Sequence, residues 1–196
     1  MTGLVDRALE DAGLMAVLQA RSAGAVDASM VERLRAADLL ALGALADRVR
    51  SAEVGDDVRI YLDPPYDPPG AVVMLLPDGG HELTGLELLR EVAVARIGGP
   101  RGACVRVDFS RCGLEIAQVA VGFGANELVG QMTTKRGLPL VEGEKLGVGK
   151  KSRWEDAEVV KRNELAGFVR RAGRQPVFVD RDGLRRGHDL DEQEGA

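Results

Sequence analysis

A chain of 196 residues with 45% apolar and 29% charged side chains has globular composition and room for one domain with a helical extension. A formal net charge of −5 argues against nucleic-acid binding, and two cysteines, Cys104 and Cys112, are too few for a secreted disulfide scaffold. Aromatic residues make up 4%, so the core has to be built from Leu, Val and Ala.

Leu4, Val5, Leu9, Leu14, Val17 and Leu18 have the spacing of one or two short helices interrupted at Gly13. Ser22 to Asp27 is a small-residue connector. Ser29 and Glu32 then match the capping box, in which the two side chains satisfy amides that the first helical turn leaves unpaired. The helix that follows is predicted to stop near Ser51. Its apolar stripe is Leu34, Leu39, Leu42, Leu45, Ala46 and Val49, with Arg33, Arg35, Asp47 and Arg50 on the remaining surface. Residues 1–54 are thus expected to be a helical cap.

The pattern changes after Asp57. Val58 to Leu62 alternates like a short strand, and the Pro64–Gly70 run is a connector that neither a helix nor a central strand tolerates. Ala71 to Leu76 reads as a buried strand ending in a Pro77–Gly80 loop. Helical spacing returns over Leu86–Ile97, a strand over Cys104–Phe109, a helix over Leu114–Phe123 and a short strand over Glu127–Met132. Asp156 to Ala172 is amphipathic, with Gly173 as its C-cap, and Gln175 to Asp180 is the final strand. Alternating strands and helices imply βαβ units on a parallel sheet with right-handed crossovers. Continuous apolar runs imply strands covered on both faces. The α/β domain is expected over 55–184, followed by a polar tail over 185–196.

Two stretches resemble a known family. Asp38 to Arg50, continued by Gly55-Asp-Asp-Val58, is similar to the N-terminal cap helix and opening strand of the radical S-adenosylmethionine enzymes of the futalosine menaquinone pathway. Aminofutalosine synthase and dehypoxanthine futalosine cyclase are the members it resembles most. Gly85 to Arg96, and Gly113 to Gly130, resemble the last βα units of the same barrel, and Arg170 to Val177 resembles its closing helix and strand. The resemblance implies an α/β fold with a partial, barrel-like parallel sheet behind a helical cap. Those enzymes hold an iron–sulfur cluster on a C-x3-C-x2-C loop after the first strand, because cluster irons need thiolate ligands. Here Val58 to Leu62 passes straight into the Pro-rich connector, so by this resemblance the middle of the barrel is missing and the cluster loop with it. Cys104 and Cys112 have the wrong spacing to substitute. No cofactor and no metal site are expected.

Other signals are local. Cys104 reads as a small apolar residue in a strand, and Cys112, beside Arg111, as a loop cysteine with a conceivably lowered pKa. His81 and His188 lie in Gly-rich or polar stretches, short of the three or four clustered ligands a zinc site needs. Gly143 to Arg153 invites a phosphate-loop reading, but position 144 is Glu where that motif needs Gly, and 151 is Lys where it needs Ser or Thr. A basic loop remains. It either stays solvated or binds an anion or partner through Lys150, Lys151 and Arg153. Asp78, Asp108, Asn126 and Gln131 stand near predicted strand ends, where parallel α/β proteins collect ligands; the plainer reading is that Asp108 and Asn126 cap helices and loops.

The expected function is non-catalytic: a cluster-less relative of those enzymes, acting as a binding or accessory subunit. Two alternatives stay open, a metal-independent enzyme using the strand-end polar residues and a structural or assembly protein docking through the basic loop. A truncated barrel leaves open sheet edges, so a homodimer or a complex with another subunit is expected, with a small-molecule or anionic ligand and neither nucleic acid nor membrane. With no membrane-length apolar run and no signal-peptide pattern at Met1–Arg7, the expected location is the cytoplasm.

Overall fold

In the computed structural model, which describes residues 3–61, 72–74, 83–130, 132–133 and 160–179, the chain begins with four helices. These are α1 (Leu4–Asp11), α2 (Met15–Ala23), α3 (Ala28–Ala36) and α4 (Leu39–Val54). Gly13, at φ +67°, makes the break between the first two. The cap of α3 is Asp27 rather than Ser29: Asp27 Oδ1 accepts from the Met30 amide at 2.9 Å, and Ser29 donates its hydroxyl to the same carboxylate. A carboxylate at the positive end of a helix dipole is the stronger cap. The single helix expected from Ser29 to Ser51 is also two helices. Ala37 turns to extended backbone, and Asp38 caps a new start by accepting from the Leu40 and Ala41 amides, both at 3.0 Å.

The remaining elements are β1 (Asp57–Tyr61), β2 (Val72–Met74), α5 (Gly85–Gly98), β3 (Cys104–Asp108), α6 (Phe109–Cys112), α7 (Leu114–Val121), β4 (Glu127–Val129), β5 (Met132–Thr133), β6 (Val160–Lys161), α8 (Arg162–Arg171) and β7 (Gln175–Val179). Five strands form one parallel sheet in the order β2-β3-β4-β1-β7, and β5 and β6 form a separate parallel pair. The chain therefore has the α/β fold on a parallel sheet that its pattern implies. The sheet is open, and β1 sits between β4 and β7, whereas strands in a contiguous piece of barrel follow one another in chain order. The strand expected over Glu127–Met132 is split, because Gly130 turns the chain against the Phe109 ring, where a Cβ would lie 2.5 Å from a ring carbon. Val160 and Lys161 are strand rather than helix, and α8 begins at Arg162.

Strand order decides which face is covered. From β2 to β3, β4 and β7 the chain always steps the same way across the sheet. Crossovers of one hand then deposit their helices on one face. The main core follows: Val58, Ile60, Val105, Val107, Leu128 and Phe178 from the strands pack against α5, α7 and α8. Among the described residues the crossover helices therefore lie on one face, while Tyr61, Arg106 and Glu127 on the other face are also buried, as expected for strands covered on both sides. A second core joins α1–α4 to the outer side of α5, with Leu9, Leu34, Leu42, Leu45 and Val49 against Ala93, Val94 and Ile97. One helix thus serves both layers.

Arg21 ties that joint. Its guanidinium donates to both Glu53 oxygens, at 2.7 and 2.9 Å, and to the carbonyls of Ile97, Gly99 and Pro100 at the end of α5. The C-terminal carbonyls of a helix lack intrahelical donors, and a cation there also meets the negative end of the dipole. Burial acts to raise the Glu53 carboxyl, but the Arg21 bonds, the Gly102 amide and the nearby Arg21 and Arg101 charges outweigh it and hold the carboxyl below its usual range.

Candidate functional site

Side chains alternate across a strand, so residues opposite the apolar core line the other face of the sheet. That face carries Arg59 and Tyr61 from β1, Cys104, Arg106 and Asp108 from β3, and Glu127 and Val129 from β4. Register sets the arrangement. Arg59 and Arg106 are both Cα partners of Glu127, so one row across three strands reads Arg, Glu, Arg. Glu127 Oε1 meets Arg59 Nε at 3.0 Å and accepts from the Tyr61 hydroxyl at 3.1 Å, while Oε2 accepts from Arg106 Nε at 3.1 Å. Glu127 is fully buried and Arg106 is 1% exposed, whereas the Arg59 side chain is 36% exposed and forms the open side of the cluster. The Arg106 guanidinium lies 4.8 Å from the centre of the Tyr61 ring, close enough for a cation–π contact.

This environment keeps its neutral donors protonated. Burial, then the Glu127 charge and hydrogen bond, push the Cys104 thiol up to about 11. The same causes push the Tyr61 phenol up to about 12. Cys104 Sγ also accepts from Arg59 Nη2. A thiol held this way is a poor nucleophile and a poor metal ligand at neutral pH, because both roles need the thiolate. Toward the carboxyl end of the sheet, Tyr61, Val129 and Val179 form a small apolar cluster joined by Val177. All four are strand residues.

No protein-family model matches the chain, and no curated protein matches it.

Of the four strand-end residues, the two described, Asp108 and Asn126, lie at opposite ends of the sheet. Asp108 closes β3 at its carboxyl end and caps α6, its Oδ1 accepting from the Ser110 amide at 2.9 Å. Burial raises its carboxyl, against the pull of that amide and of Arg111. Asn126 enters β4 from the amino end, the opposite edge of a parallel sheet, and is 2% exposed. Its Oδ1 accepts from the Val105 amide at 2.8 Å and from Arg96 Nη2 at 2.7 Å. Arg96, fully buried, also donates to the Gly124 and Ala103 carbonyls, and burial lowers its pKa to about 10. Gly124 is required beside it: at φ +104° a Cβ would sit 2.8 Å from Arg96 Cβ. Asn126 thus joins β3, β4 and α5 from within. Asp78, Gln131, Lys150, Lys151, Arg153, His81 and His188 lie outside the described residues.

Cys112 sits in α6, separate from Cys104 in β3, and donates to the Gly113 carbonyl at 3.4 Å. Among the described residues no group of three or more His, Cys, Asp or Glu side chains could hold a metal ion, and no helix is long and apolar enough to cross a membrane. A shallow depression of about 500 Å³ lies between α1 and α4, lined by Val5, Ala44, Asp47, Arg48, Ser51 and Ala52. Its charges are paired, Arg48 with Asp6 at 2.7 Å and Asp47 with Arg174 at 2.5 Å, and it is built from helices away from the polar row. The Arg59–Glu127–Arg106 row was missed in the sequence. Its signal was present: charged residues at alternate positions in Asp57–Tyr61 (Asp57, Arg59) and Cys104–Asp108 (Arg106, Asp108), and a charge opening Glu127–Val129.

Proposed function

We propose that this protein is a binding or accessory subunit without chemistry of its own, a shortened and cluster-less relative of the radical S-adenosylmethionine enzymes of the futalosine menaquinone pathway. The observation that carries the non-catalytic reading is the closure of the polar row. Both oxygens of Glu127 already accept from Arg59, Tyr61 and Arg106, and Cys104 beside them is held as a thiol. General acid–base chemistry needs a group free to take a proton at hydrogen-bond distance from substrate. Glu127 and Arg106 are buried, so of the row's three charges it is Arg59, 36% exposed, that is left to meet a bound molecule, which suits holding rather than transforming it. The pathway association rests on the resemblance alone.

Thermal denaturation with added futalosine derivatives of that pathway tests the binding reading. A ligand bound by the native state at about 100 times its Kd raises stability by about 2.7 kcal/mol, so the midpoint should climb with concentration. Midpoints that stay put across the series would leave a structural or assembly role in its place.

A partner is part of the proposal. Among the described residues the sheet ends in β2 on one side and β7 on the other, and edges of this kind are usually paired or protected. The β7 edge is blunted. Gln175 donates its amide inward to Asp56, so the next residue faces outward, and Pro176 there has no N–H to offer. A second copy or another subunit is therefore proposed to cover the β2 side or the polar face, a homodimer being the commonest arrangement. Light scattering at micromolar concentration should read about twice the 20.9 kDa of one chain. A single species at the chain mass, with nothing recovered by pull-down, would reject the partner.

A further inference from the structure

We draw no further inference here: the strongest candidate, the Arg59–Arg106–Glu127–Tyr61–Cys104 cluster on the sheet face opposite the helices, belongs to the site already described.

Discussion

At the centre of the polar face Glu127 has no exposed surface, and a guanidinium approaches each of its carboxylate oxygens. Charges removed from water are tolerated only when paired and hydrogen-bonded, and removing one partner leaves the other stranded. Glu127→Gln keeps the shape but breaks the buried ion pair with Arg106, so it should cost about 3–5 kcal/mol of stability, read from urea midpoints. The same variant removes a cause of the raised Cys104 pKa, so alkylation of that thiol should begin at lower pH than in the wild type. In the wild type, the unfolded thiol ionises near its ordinary value of 9.0, whereas the folded one resists to about 11. The thiol's contribution is therefore intact below pH 9 and is lost between about 9 and 11. Equal stability and equal alkylation profiles for the two proteins would mean that the row is incidental. The alternating charges were visible in each segment, but their pairing was not. Arg59, Arg106 and Glu127 are ordinary charges in three short segments until long-range register sets them side by side.

Elements were more legible than their joints. Periodicity located the helices at Gly85–Gly98 and Leu114–Val121 and the strands at Asp57–Tyr61, Cys104–Asp108 and Gln175–Val179, because each buries one apolar stripe or alternating set. It ran through the junction between α3 and α4, since Ala36-Ala37-Asp38 offers neither Gly nor Pro and the stop depends on Asp38 acting as a cap. It also passed over α6, a four-residue turn held by Asp108. The stripe of α4 is sound despite the break: Leu42 and Leu45 have no exposed surface and sit in the core shared with α5. Leu42→Ala or Leu45→Ala should each cost about 2–5 kcal/mol. Leu40→Ala, at a position 76% exposed, should change stability by no more than about 0.5 kcal/mol. Matching denaturation midpoints for all three would place the N-terminal helices outside the cooperative core.

For the whole molecule, alternating strands and helices announce a parallel α/β sheet, but strand order does not follow from local pattern. β1 lies between β4 and β7 because Arg59 pairs with Glu127 and Asp57 with Gln175, partners far apart in the sequence that no local window contains. That order puts α5, α7 and α8 against one apolar core and leaves the other face to the charged row. The functional proposal depends on what that face and the chain's two cysteines can hold. Cys104 is engaged with Arg59 and Glu127, and Cys112 lies on another element. The most direct test is anaerobic reconstitution with iron and sulfide, followed by desalting and measurement of bound iron and visible absorbance. The cluster-less reading predicts protein that emerges colourless with no stoichiometric iron, and a chromophore that survives desalting would contradict it.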